Sequence, residues 1–178
     1  MRVIGGEFRS RRLKTMPGLE LRPTPDRLRE TLFDILAPRL PGTVFVDAYA
    51  GSGAVGIEAL SRGAARAVFI EKHRAAVDVI RQNLKALGLE ERAEVITGKT
   101  LTALGRFKAD IVFLDPPYNL EQEYDAALAI LGETRPALAI AQHTTRLELK
   151  ARYGALARTR VVKQGDNALS FYAPKSEE

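Results

Sequence analysis

From Thr43 onward, short apolar runs alternate with amphipathic stretches, and three of the runs end on an acid. Val44-Phe45-Val46 closes on Asp47, Ala67-Val68-Phe69-Ile70 on Glu71, and residues 110–114 on Asp115. Short runs rich in β-branched and aromatic residues read as buried strands. Glu94-Val95-Ile96 and residues 137–141 supply two more. Helices are expected between them: one from the glycine turn at 51–56 to Ser61-Arg62-Gly63, one over about 73–87, one over about 124–131. The second carries Val77, Ile80, Leu84 and Leu87 on one stripe, with Gly88 as its stop. Residues 144–155 are read as helical. Two last β runs, 157–163 and 168–173, flank Gly165-Asp166-Asn167, a tight hairpin. Alternation of this kind implies a parallel sheet covered on both faces. The expected class is α/β, a mostly parallel seven-stranded sheet with an antiparallel edge strand.

In such sheets ligands bind beyond the carboxyl ends of the strands. Asp47, Glu71 and Asp115 each close a strand at that end, so three carboxylates share one rim. Asp115 also opens Asp115-Pro116-Pro117-Tyr118. Two prolines fix φ twice and stop both strand and helix. An acid, a rigid carbonyl and an aromatic face thus fall within four residues, a set suited to gripping a flat base with an exocyclic amine.

A length of 178 residues suffices for one well-cored domain with a small appendage. No apolar run approaches ~18 residues, so no membrane span is expected, and no apolar segment follows the N-terminal charges as a signal peptide requires. With no cysteine, disulfides, thiolate metal sites and thiol catalysis are excluded. His73 and His143 are the sole histidines and read as structural, so no metal site is expected. These features fit a cytoplasmic protein.

The net charge is +5 and uneven: residues 1–40 hold nine Lys/Arg against five Asp/Glu, residues 41–178 eighteen against seventeen. Residues 1–40 therefore read as a basic extension, a hairpin about Gly5-Gly6 and then a helix, on a body spanning 41–178. Arg suits forked phosphate contacts, and a basic patch on a near-neutral body points to nucleic acid. Arg9, Arg11, Arg12, Lys14 and Arg22 are the expected nucleic-acid contacts. In Thr24-Pro25-Asp26, Thr24 is the expected N-cap and Pro25 the first helical residue; Leu28, Leu32, Ile35 and Leu36 form the apolar stripe.

Gly51-Ser52-Gly53-Ala54-Val55-Gly56 matches G-x-G-x-x-G, with Glu71 20 residues after Gly51. A nicotinamide-dependent dehydrogenase therefore competes. Against it, Asp47-Ala48-Tyr49-Ala50 separates the strand from the glycines, and a carboxylate at Asp47 sits poorly beside a pyrophosphate. It suits a cofactor bearing an ammonium and a sulfonium.

Asp47-Ala48-Tyr49-Ala50-Gly51-Ser52-Gly53 resembles the first S-adenosylmethionine motif of Rossmann-like methyltransferases. Asp115-Pro116-Pro117-Tyr118 resembles the catalytic motif of amino-methyltransferases acting on nucleobases. Val3-Ile4-Gly5-Gly6, Arg22-Pro23-Thr24, Asp26-Arg27, Arg29-Glu30 and residues 58–64 are similar to the RsmD family, which methylates the N2 amine of one guanine in 16S ribosomal RNA. The resemblance covers nearly the whole chain. It implies a Rossmann-like S-adenosylmethionine-dependent methyltransferase fold and S-adenosylmethionine as cofactor. Asp47, Gly51 and Gly53 would hold its methionine end, Glu71 its ribose hydroxyls, and Thr24 would sit by its carboxylate. Tyr49, Lys72 and Thr100 complete the expected cofactor set. Lys99-Thr100 stands where relatives place an acid or amide against adenine, so a backbone contact is expected there. Asp115, Pro116, Pro117 and Tyr118 would form the catalytic loop. The implied partner is 16S rRNA within a small ribosomal subunit or assembly intermediate, met by a monomer. An adenine-N6 methyltransferase of DNA or RNA and a non-catalytic RNA-binding module are the remaining alternatives.

Overall fold

The computed structural model describes residues 1–16, 24–117 and 119–175. Strands β1 (Val44–Asp47), β2 (Arg66–Glu71), β3 (Ala93–Thr97), β4 (Ile111–Leu114) and β5 (Leu138–Thr144) are mutually parallel, in the spatial order β3-β2-β1-β4-β5. The order reverses between β1 and β4, which is where an open sheet of this type forms its crevice. Beyond β5 lie β8 (Asn167–Pro174), β7 (Leu156–Gln164) and β6 (Arg152–Tyr153), each antiparallel to its neighbour. The sheet therefore has eight strands among the described residues, not the seven expected, and three antiparallel strands at its edge rather than one, because Arg152–Tyr153 pairs with β7.

Helices α1 (Asp26–Leu36), α2 (Ala54–Ser61) and α3 (Arg74–Leu87) cover one face; α4 (Thr100–Ala103) and α5 (Gln122–Thr134) cover the other. The two faces divide the strand residues by parity. Phe45, Phe113 and Ile140 pack under α1 and α2, and Phe69 under α2 and α3. Val46, Val112, Leu114 and Ala139 pack against α5. On α1, Leu28, Leu32, Phe33 and Leu36 are buried; truncating such a side chain to Ala costs about 2–5 kcal/mol. Residues 1–16 pack on the body. Val3 and Leu13 share the α2–α3 core, a single antiparallel bridge joins Arg2 to Arg12, and the buried carboxylate of Glu58 accepts the Ile4 and Gly5 N–H groups, both at 2.9 Å.

Three local expectations change. Thr24 is not the cap of α1: Pro25 occupies that position, with ψ 139°, and its carbonyl accepts the Arg29 N–H. Pro25 is extended rather than helical, so the helix starts one residue later than expected, and Thr24 is instead buried beside the crevice. Residues 144–155 are not helical. They turn and form β6, because Tyr153 has tertiary partners that a helix could not serve. Its hydroxyl bonds Asp125, and its backbone packs where a Cβ on Gly132 would come within 2.3 Å. Finally, β5 runs to Thr144 rather than stopping at 141. Its last three residues, Gln142, His143 and Thr144, are paired with Leu169, Ala168 and Asn167 of β8.

Candidate active site

Four adjacent strands carry a polar residue at their carboxyl ends, on the face of α1–α3. They are Glu71 of β2, Asp47 of β1, Asp115 just past β4, and Gln142 of β5. Asp47 is level with Phe69 and Phe113, so Glu71 and Asp115 stand two residues further out. Leu114 lies beside Ala141, which brings Asp115 and Gln142 to one level. All four line one open cleft of about 1320 Å³, room for a nucleoside-sized cofactor and a base together.

The β1–β2 half is tied down by backbone amides. Asp47 is 1% exposed and its Oδ2 accepts the Gly56 N–H at 3.0 Å. Burial pushes its carboxyl up to about 7; the Gly56 amide opposes the shift and the Glu71 charge adds to it. A cation arriving in the cleft would restore the charge. Glu71 Oε2 accepts the Gly51 N–H at 2.8 Å and Oε1 the His73 N–H at 3.0 Å. Each oxygen keeps a lone pair for a further donor, as a ribose diol would offer. Gly53 opens α2 at φ 85°, where a Cβ would press on Ile80 at 3.2 Å. It backs the turn rather than lining the cleft. Thr24, Tyr49, Gly51, Lys72 and Thr100 do line it. Tyr49 is committed to Glu123 at 2.6 Å, joining the β1 turn to α5; burial and that carboxylate hold its hydroxyl well above the usual range. The Thr100 hydroxyl donates to the Ala48 carbonyl. Gly98 and Lys99 line the cleft beside Thr100.

The β4–β5 half is held by covalent stiffness and strand pairing. Pro116 is buried, Asp115 and Pro117 are half-buried, and all three line the cleft. The Pro117 carbonyl accepts the Leu120 N–H at 2.9 Å, closing the turn. Tyr118 and Arg22 lie outside the described residues. Tyr124 is pushed above the usual tyrosine range by burial and then by the Asp115 charge. His143 is lowered by burial; its ring bonds Ser170 Oγ at 2.7 Å and the Thr144 carbonyl at 2.8 Å, an arrangement that fixes β5 to β8. No group of three or more His, Asp or Glu fit to hold a metal occurs among the described residues, and no described helix is long and apolar enough to cross a membrane.

The profile of the family described as conserved hypothetical protein 95 matches residues 1–173. Ribosomal RNA small subunit methyltransferase D of Haemophilus influenzae is 38% identical over 138 residues, 75% of this chain and 71% of that one. The chain belongs to the RsmD family. The solved structure of yhhF from Escherichia coli superposes with TM-score 0.86 at 32% identity, covering 99% of both chains. An RNA methyltransferase from Salinibacter ruber, solved with S-adenosyl-L-homocysteine, shares the fold at TM-score 0.69 and 21% identity, over 88% of this chain and 96% of that one. RsmD membership and the Rossmann-like methyltransferase fold replace the dehydrogenase reading of the glycine turn.

On this RsmD-family fold, Arg9, Arg11, Arg12 and Lys14 are exposed and stand away from the cleft walls. Arg11 donates to the Ala86 carbonyl at 3.2 Å and Lys14 Nζ to Gln82 at 3.0 Å. A second basic region escaped the division of charge at residue 40. Residues 144–165 hold six Lys/Arg against one Glu. Arg146 lines the cleft, and Arg152, Arg158, Arg160 and Lys163 are exposed on β6 and β7. A sliding charge count would have found it. Gln142 was also missed, because a lone Gln after an apolar run carries no sequence signal.

Proposed function

We propose that this RsmD-family chain is an S-adenosylmethionine-dependent rRNA methyltransferase that modifies the exocyclic N2 amine of one guanine in 16S rRNA. It acts as a cytoplasmic monomer on a small-subunit particle or assembly intermediate. Residues 1–40 serve as an RNA-contacting extension on the methyltransferase body, 41–178. The observation that carries this reading is that Asp47, Glu71 and Asp115-Pro116-Pro117 open onto one cleft of an RsmD-family fold.

Bound there, S-adenosylmethionine would supply an electrophilic methyl group on a sulfonium. Asp47 would hold its cationic end, with Gly51 and Gly53 shaping the turn, Thr24 by its carboxylate and Glu71 at its ribose. Tyr49, Lys72 and Thr100 complete that pocket. An exocyclic amine of a base is a poor nucleophile, because its lone pair is spread into the ring. The Asp115 carboxylate and the Pro116 carbonyl would accept its N–H bonds, localise the lone pair and aim it at the methyl carbon; the methyl–sulfur bond would break with its electron pair left on sulfur, and the methylated amine would release one proton to solvent. Positioning and aimed acceptors are the main catalytic contributions. Tyr118 would stack on the base, worth ~1–3 kcal/mol. The guanine must leave its helix or lie unpaired to reach the cleft. Arg9, Arg11, Arg12, Lys14 and Arg22, together with the β6–β7 basic edge, would hold the RNA backbone.

Labelled methyl transfer to unmodified small-subunit particles, naked 16S rRNA and DNA, followed by nucleoside analysis, tests this reading. N2-methylguanine from the particles is expected. N6-methyladenine in DNA or RNA, or no transfer to any of the three, would overturn it.

A further inference from the structure

Gln142 is a buried polar side chain in the cleft wall whose acceptor is unused. It is 6% exposed and lines the cleft. Its backbone carbonyl accepts the Tyr124 hydroxyl, while its side-chain Oε1 has no hydrogen-bond partner among the described residues. The neighbours on its level explain why. On β8 it faces Leu169, which has no side-chain donor. On β4 it stands level with Asp115, beyond the Leu114–Ala141 pair, and an ionised carboxylate only accepts. A buried acceptor left unpaired is unfavourable, and such groups in native proteins call for an explanation. Gln142 lines the cleft beside Asp115, so a ligand bound there can bring the donor.

We propose that Gln142 reads the target base: its Oε1 accepts the ring N–H adjacent to the amine that Asp115 holds. This inference rests on the guanine-N2 reading above. Guanine carries N1–H next to its 2-amine, so one edge presents donors to both Asp115 and Gln142. Adenine has a bare lone pair at N1 beside its 6-amine and offers Gln142 Oε1 nothing there. With the carboxamide held in the orientation seen, the two side chains would therefore favour guanine while aligning the amine. A site built to bond a polar group rejects the analogue lacking it far better than an apolar pocket rejects a wrong shape.

The test uses the full-length enzyme and small-subunit particles carrying either guanine or 2-aminopurine at the mapped target nucleotide. 2-Aminopurine keeps the 2-amine and lacks N1–H. For the wild type, kcat/KM is expected to fall about tenfold to hundredfold on 2-aminopurine. Gln142→Met should lose a similar factor on guanine and show no further loss on 2-aminopurine. Gln142→Glu, which only accepts, should keep the preference for guanine. The ratio of the two substrates is the readout that a merely structural role would not move. It also keeps the test open through Gln142→Glu should the Met variant fail to fold. A Gln142→Met enzyme that retains the wild-type ratio, or a Gln142→Glu enzyme that loses it, overturns the proposal and leaves the guanine-N2 reading intact. A wild type that forms no N2-methylguanine removes both.

Discussion

The two halves of the cleft rim are built on different physics. In the β1–β2 half, both carboxylates are already engaged by backbone amides: Gly56 for Asp47, and Gly51 and His73 for Glu71. The chain preforms this pocket with its own donors. In the β4–β5 half, two prolines and the pairing of β5 with β8 set the position, and the Oε1 of Gln142 is left open among the described residues. The result is a division of labour. One half is organised by backbone amides; in the other, the one buried side-chain acceptor seen without a partner among the described residues is the Gln142 Oε1.

The largest effect is expected in the second half. Asp115→Ala should lower single-turnover methyl transfer by about a thousandfold, on the scale of removing an aimed electrostatic group from an active site. Near-normal transfer would remove Asp115 from the chemistry. In the first half, Glu71→Ala should weaken S-adenosylmethionine by roughly tenfold to hundredfold by calorimetry, as removal of a pair of charge-assisted hydrogen bonds would, while the variant's RNA affinity stays unchanged.

Asp47 gives the same half a pH signature. Its carboxyl lies at about 7 in the fold against an ordinary 3.8. The neutral form is favoured by the fold, so this group's contribution to stability is full below about pH 4 and is lost as the pH rises through about 7. Asp47→Asn should flatten that slope in urea titrations. A bound cation favours the ionised form, so S-adenosylmethionine affinity should rise with pH up to about 7, with a proton released on binding below it. Calorimetry in buffers of different ionisation enthalpy reads that proton directly. The smallest effects belong to the RNA surface. Neutralising Arg152, Arg160 and Lys163, or Arg9 and Arg12, should reduce the salt slope of RNA binding by about one for each phosphate no longer neutralised and leave cofactor affinity alone. An unchanged slope for one set would assign the RNA backbone to the other.

The order of strands and helices, and the acids closing β1, β2 and β4, were legible in the sequence because each rests on a local pattern. Apolar runs of strand length, glycine stops and prolines are written within a few residues of where they act. What was not legible depends on distant partners. The extension of β5 through Gln142 and His143 is made by β8. The β6 strand exists because Tyr153 meets Asp125 and Gly132 of α5. The clasp of Glu58 on the Ile4 and Gly5 amides spans more than fifty residues. Thr24 missed its expected place by one position, because the proline after it took the cap. In the site, the carboxylates announced themselves, whereas the carboxamide beside Asp115 emerged only from the register of β4 against β5.

The division of the rim is tested most directly by S-adenosylhomocysteine calorimetry on Asp115→Ala. A dissociation constant within about threefold of the wild type is expected, since the cofactor half is held by its own amides. A loss of tenfold or more would show that the two halves are one unit and would contradict the division.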